Sequence, residues 1–432
     1  MKKEDFVLEI THHTPHLSTA IVKIPAYLVN SFYQHAARCH QFRVNPHGFA
    51  QGHVPLSYIE QNFSQDIVNH LKEFFLHYFV ISFLYKELRI RKIVAAGEPR
   101  LIKSMAQPNH PAEFHFEFNP VVQSFVREWK YVSFKAPRRK QYKDIDKQAT
   151  EFMEEEERNE QQYTTQDSVS VGDWVNFNIS IVDENHQPVL EDFKENLWLK
   201  IGSEESSIPF QEIFVHRKKG EKFCSSSLCF QEFFNSQIET NYTFLIEILD
   251  IVQQAFFSLE SFKKHFKLKT NKKAHQKIVE VFSFRNDLCL RRAIIEDAFD
   301  LLLSLYEFDA PPASILRQQQ TILGALQENP DYSVYKTQHG FYDKVKQLAH
   351  KQVKEMVFME LLAYHENLEL GETDMHDYLN LTQRPRMKDF IHFQHPAIIA
   401  NKEEYPIQNE PLKQLCLREK ALNHSLYHLS KN

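Results

Sequence analysis

The spacing of apolar residues changes several times along this chain, and each change marks a stretch that must fold by a different rule. In DFVLEI and TAIVKI, between Phe6 and Ile24, apolar and polar residues alternate as on a half-buried strand. Phe114, Phe116 and Phe118 do the same until Pro120 stops them. A loop is expected after Ile24. Ile67, Leu71, Phe74 and Tyr78 then recur at helical spacing, with Ser64 placed to cap that helix and Asp66 in its positive first turn. Residues 1–135 are thus expected to form one α+β domain. Residues 136–165, basic at PRRKQYKD and acidic by EEEERNEQQ, carry almost no apolar residue after Met153 and read as a solvated helical arm or linker. The runs DWVNFNISIV, NLWLKIG and TFLIEILDIV predict a small sheet domain over 166–253. Beyond Gln254 the stripes are helical, as in Ile295, Ala298, Phe299, Leu302, Leu305 and in Val353, Met356, Val357, Leu361, Tyr364, with Pro311 and Pro312 between them. An all-α unit is expected over 254–432, and the fold class is multi-domain α+β.

Composition narrows the functions open to such a chain. With 36 Phe in 432 residues, cores alone do not easily hide every ring, so some are expected on a surface that binds other chains. A formal net charge of −6 offers no global field for phosphate backbones, and no sequence-specific nucleic acid partner is expected. The start MKKEDFVLEITHH has no apolar run of a secretion signal, and the stretch Phe74 to Tyr85 falls short of the roughly 20 residues of a membrane span. The expectation is a cytoplasmic protein without membrane contact. Five scattered cysteines (Cys39, Cys224, Cys229, Cys289, Cys416) do not describe a disulfide framework, and the N-terminal histidines contain no helix-borne HExxH pair. No phosphate-cradling glycine loop is present either. No metal and no cofactor are expected.

The segment HGFAQGHVP resembles the trigger factor signature GFRxGKxP. Gly48, Phe49, Gly52 and Pro55 match, while Ala50 stands for the arginine, Gln51 follows it, and His53 replaces the lysine. Domain order agrees: a strand-helix-strand unit, a β-rich insert, then helices closing after FDAPPASIL, where Asp309 to Leu316 is similar to the family's step into its long arm. The segment TQRPRMKDFIHF and the helix from Leu412 look most like chlamydial-type members.

The resemblance implies an ATP-independent chaperone that holds apolar segments of nascent or unfolded polypeptides, with a homodimer as a form off the ribosome. In the family the signature loop docks beside the ribosomal exit tunnel. Here Phe49 would insert, but the charge-assisted contacts, each worth about 1.5–3 kcal/mol, are lost at Ala50 and Gln51. Docking is expected to be weak, with Arg43 and His53 as the remaining cations; alternatively Gly48 and Gly52 only shape a hairpin tip. The insert resembles an FKBP-type prolyl isomerase, whose apolar pocket desolvates the X-Pro amide. Phe177, Ile208, Phe210 and Phe233 fall at pocket positions; Val189 and Leu245 replace aromatics, and the I-P-G-F turn lacks its glycine. Weak isomerase activity is the expectation. Each of these residues reads equally well as core of a small β domain. The alternative function is a ribosome-independent, partner-specific chaperone or scaffold with no isomerase activity.

Overall fold

A computed structural model describes residues 6–50, 52–121, 128–137, 143–162, 167–183, 185–189, 194–202, 209–234, 241–253, 259–282, 284–285, 288–306, 308–327, 329, 331–382, 387–394 and 406–431. The chain opens with β1 (Val7–Thr14) and β2 (Leu17–Ile24), paired antiparallel as their alternation requires. The stretch expected as a loop is instead α1 (Ala26–Gln41). Pro25 sets its start, and Leu28, Val29, Phe32, Tyr33, Ala36, Ala37 and His40 form the buried stripe. A short α2 (Leu56–Asn62) leads into α3 (Ser64–Phe75). Ser64 makes no capping bond: α2 runs to Asn62, so Phe63 is the only residue between the helices and occupies the cap position, with Ser64 already helical. A π-turn (Leu76–Val80) then joins α3 to α4 (Ile81–Ile90). With β3 (Arg100–Met105) and β4 (Ala112–Phe118), the first sheet has the order β1-β2-β4-β3, and Phe114, Phe116 and Phe118 all point into its core.

Next comes α5 (Lys143–Gln162), helical as expected but not free in solvent. Its Ala149 is fully buried, and Ile145, Phe152 and Met153 pack on the core beneath it. The second sheet is built from β5 (Trp174–Val182), β6 (Glu195–Lys200), β7 (Lys222–Ser225) and β8 (Thr243–Val252), with α6 (Pro209–Phe214) and α7 (Leu228–Phe234) on one face. Helices follow: α8 (Leu259–His265), α9 (Asn271–Phe282), α10 (Leu290–Leu305), α11 (Pro312–Gln327), α12 (Tyr332–Lys336), α13 (Phe341–His365) and α14 (Glu372–Thr382). Between α9 and α10 lies a two-residue ribbon, β9 (Phe284–Arg285) with β10 (Leu288–Cys289). The segment expected to be all-α also returns a strand, β11 (Ile407–Gln408), to the edge of the second sheet, whose order is β11-β6-β5-β8-β7. The last helix, α15 (Asn409–Leu429), leaves from that strand.

The cores show how these parts hold together. One apolar cluster runs without a break from β2, β4 and α3 into Phe177, Leu197, Phe230 and Ile246 of the second sheet. At the seam, Phe74 and Tyr78 meet Phe234, with ring centroids 5.7 and 5.0 Å apart. The Tyr78 hydroxyl donates to the Ile179 carbonyl at 2.8 Å, and Ser82 is hydrogen-bonded to buried Glu195. The other face of the second sheet presents Trp174, Trp198 and Val252 to α8, α9 and α14. Farther on, Arg291 is buried between Phe266 and Phe390 and faces Glu419, whose carboxylate accepts from the His392 and Phe393 amides. A charge pair this deep needs those extra donors to offset its desolvation.

Two histidines at the seam make it sensitive to acid. His70 Nε2 lies 2.5 Å from the Tyr242 hydroxyl, and His35 stacks on the same ring with centroids 5.6 Å apart. Burial pushes His70 down to about 3 and His35 to about 4, so both are neutral in the fold. Unfolded, they take protons below 6.5, so the stability they contribute is present above that pH and is lost as pH falls toward 4. His70→Phe should be less stable than wild type at pH 7, yet lose about 2 kcal/mol less than wild type does between pH 7 and pH 5. Urea unfolding at the two pH values measures this; identical pH dependence in the two proteins would show that His70 is not held neutral.

Candidate functional site

The signature loop begins where α1 ends. The Gln41 side-chain amide donates to the Val54 carbonyl at 2.5 Å and ties the ends of the loop together. Gly48 and Gly52 have φ of +95° and +79°, where a side chain is strained, and a Cβ at Gly52 would also touch the Phe42 ring at 3.4 Å. Phe49, expected to insert into a partner, is half-buried instead, its ring 5.1 Å from that of Tyr58 and packed on the core. Ala50 and His53 are exposed and Arg43 half-buried, while Gln51 lies outside the described residues. The apolar side chain that this region offers to solvent is Phe42, 53% exposed. Sequence reasoning passed over it. The available signal was its position just past the end of α1 and off that helix's buried stripe.

The residues assigned to the isomerase pocket are only partly brought together. Phe177 is fully buried, its ring 4.9 Å from Phe214 and 5.9 Å from Phe230, and Phe210 is 5.3 Å from Phe230 on the far side. Phe233 is half-buried against Phe234, 4.9 Å away, which in turn touches Tyr78 of the first domain. Val189 packs at the margin of the same core, its amide bonded to the Ile181 carbonyl at 2.9 Å. Ile208 lies outside the described residues. Leu245 does not belong to this group. Cross-strand partners share a face, and Leu245 pairs with Ser180 and Cys224, whereas Phe177 pairs with Ile248 and Leu197. Its neighbour on that outer face, Glu247, is held down to about 2 by hydrogen bonds from Lys222 and Lys194. The alternation of β8 therefore sends Leu245 to the polar side and Phe244 and Ile246 to the core.

Cys229 shares this region, but burial pushes its thiol up, away from the reactive thiolate. Among the described residues no group of His, Cys, Asp and Glu could hold a metal ion. No helix among them is long and apolar enough to cross a membrane.

A second candidate surface is the hairpin of α11 and α13, bound to each other by Gln318 and Gln352 at 2.8 Å and joined through α12. Phe341, Val345 and Ala349 face inward, whereas Leu316, Tyr342 and Leu348 are 56%, 50% and 44% exposed. Val334 and Tyr335 of α12 are exposed as well. Along α11 the only buried side chain is Ser314, at its root, so the remainder of the helix has little core of its own.

Two sheets with helices packed around and between them define a multi-domain α+β protein. Residues 9–152, the stretch that holds Gly48, Phe49, Gly52 and Pro55, match the family described as bacterial trigger factor protein. No curated protein matches the chain. Among solved structures, one described as the trigger factor chaperone, in work on promiscuous substrate recognition in folding and assembly, is similar over 98% of this chain and 100% of that one. The identity is 13% and the TM-score 0.35, a likeness from which nothing further is carried over.

The packing makes separate statements about two of the pocket residues. Phe177→Ala should cost about 3–5 kcal/mol, as ring deletions in tight cores do, whereas Leu245→Ala should cost about 1 kcal/mol. Chemical denaturation of the two variants tests this, and equal losses would place both residues on one face.

Proposed function

We propose that the protein is an ATP-independent chaperone of the trigger factor class, which holds apolar segments of unfolded or nascent chains on its helical hairpin. The observation that carries this reading is the exposure of Leu316, Tyr342 and Leu348 on paired helices that leave those side chains uncovered within the chain. Covering them would stabilise a complex at roughly 25 cal/mol per Å² of apolar area, spread over many weak contacts, which suits reversible capture of varied segments. The family match over residues 9–152 supports the same class of function.

Two finer parts of the reading have different support. Docking at a ribosome would use the signature loop, weakened by Ala50 and with Phe49 turned onto Tyr58, so that Phe42 and Arg43 would carry the contact. Prolyl isomerase activity would be weak. An enclosed proline needs an open apolar slot, and the rings of Phe177, Phe210, Phe214 and Phe230 fill the space between the second sheet and its helices with one another. That filling favours the alternative in which the insert is a structural module of a chaperone without isomerase activity.

The test uses the full chain. Wild type at equimolar dose should slow the light-scattering rise of a chemically denatured client, and Leu316→Ser, Tyr342→Ser and Leu348→Ser combined should remove at least about half of that effect. Each site is exposed, so stability should change by only about 0.5 kcal/mol per substitution. A triple variant as protective as wild type would overturn the assignment of the hairpin.

A further inference from the structure

At the end of α15 a group of lysine and histidine side chains gathers from three separate parts of the chain. Lys130 comes from the short turn Trp129–Tyr131, Lys267 from just beyond α8, and His424, His428 and Lys431 from α15 and its end. The turn carrying Lys130 packs directly on α15. The Trp129 ring stands 5.8 Å from both His424 and His428, which are themselves 4.6 Å apart. Lys431 Nζ sits 4.1 Å from the centre of the Tyr427 ring, and Lys267 Nζ 5.8 Å from the same ring.

The carboxylates nearby are already committed. Glu366 takes Lys130 and the Trp129 indole, at 3.0 Å for the latter, and Asp374 takes Lys420 at 2.6 Å. Among the described residues no carboxylate forms an ion pair with Lys267 or Lys431. Lys267 instead donates to His424 Nδ1 at 2.6 Å, an ammonium bonded to a neutral imidazole. That bond leaves the proton of the imidazole on Nε2, a buried atom without a hydrogen-bond partner, 3.5 Å from Glu366 Oε2. Lys267 also sits at φ +54°, a conformation that side chains other than glycine's adopt at a cost. Burial pushes His424 down to about 4, Lys267, His428 and Lys130 act in the same direction, and Glu366 opposes them. Positive charge and unspent donors thus accumulate at one place with too little negative charge to balance them.

We propose that Lys267, Lys431, His424 and His428 form a binding site for a phosphate group. Two features favour phosphate over a carboxylate: its several oxygens can take donors converging from separate elements, and its second charge suits two lysines without carboxylate partners. Tyr427 among these lysines, and Tyr131, 85% exposed on the turn with Lys130, give the rim a stacking surface that would suit the phosphate of a single-stranded RNA as well as the free ion.

Full-length protein is tested with a fluorescently labelled oligouridylate by anisotropy at low salt, and with inorganic phosphate by the NMR shifts of the His424 and His428 ring protons. Wild type should bind at least one of them, and Lys267→Met with Lys431→Met should weaken binding about tenfold. If RNA is the source, it should bind far more tightly than the free ion, with a salt slope that falls by about 1.4 for two lost contacts. Comparable affinity for both would assign the site to free phosphate. Lys431→Met alone, at an exposed position, serves as a folded control and should weaken binding about threefold. Absence of binding to either probe, or unchanged affinity in a folded double variant, would overturn the proposal.

Discussion

The seam between the first domain and the second sheet is the contact on which the rest of the arrangement depends. Phe74 comes from the last turn of α3 and Tyr78 from the π-turn, and both rings meet Phe234 while Phe74 also meets Tyr242. Two polar bonds fix the register of the ring contacts: Tyr78 to the Ile179 carbonyl and Ser82 to Glu195. Gln231 holds the backbone of Tyr242 from both sides, donating to its carbonyl at 2.6 Å and accepting from its amide at 3.0 Å. The hydroxyls of Tyr78, Ser82 and Tyr242 and the side chain of Gln231 are thus hydrogen-bonded within the protein, which limits what burying them costs.

Because the second sheet is covered on one face by its own helices and the first domain, and over Trp174, Trp198 and Val252 of the other by C-terminal helices, it has the surroundings of a keystone. β11 adds to this by returning residues 407–408 to its edge, where Gln408 also reaches the carbonyl of His77 in the π-turn. A module so enclosed is poorly placed to open around a proline, whereas α11 and the first half of α13, where Leu316, Tyr342 and Leu348 are exposed, are well placed to meet another chain. The division of labour in the proposed function follows from this difference in burial.

Much of this was legible in the sequence, and what was missed has physical reasons. The alternations of β2 and β4 and the stripe of α3 are strong because each element buries one continuous face, and β5 reads as an apolar run because both its faces are largely buried. Helix α1 is hard to see in the sequence although its stripe is complete, since His35, Arg38, His40 and Gln41 dilute the apolar signal while Ala36 and Ala37 carry the packing. β11 is two residues long and exists only because β6 offers it an edge, which no local pattern can announce. Leu245 was assigned to the pocket by similarity, but the parity of β8 decides its side, and the bulge opposite Asn176 and Phe177 is invisible in a one-dimensional alignment. The signature loop was found through its glycines, whose positive φ values are a backbone requirement, whereas the orientation of Phe49 and Phe42 depends on Tyr58 and the end of α1.

If the seam holds the molecule together, the first domain and the second sheet open together. Native-state hydrogen exchange of the intact protein measures this strand by strand. The amides of β2 and β4 and those of β5 and β8 should share one opening free energy, and Phe74→Ala should lower it by the same amount in all four strands. Exchange of β5 and β8 through a separate, lower-energy opening that leaves β2 and β4 protected, unaffected by Phe74→Ala, would contradict it.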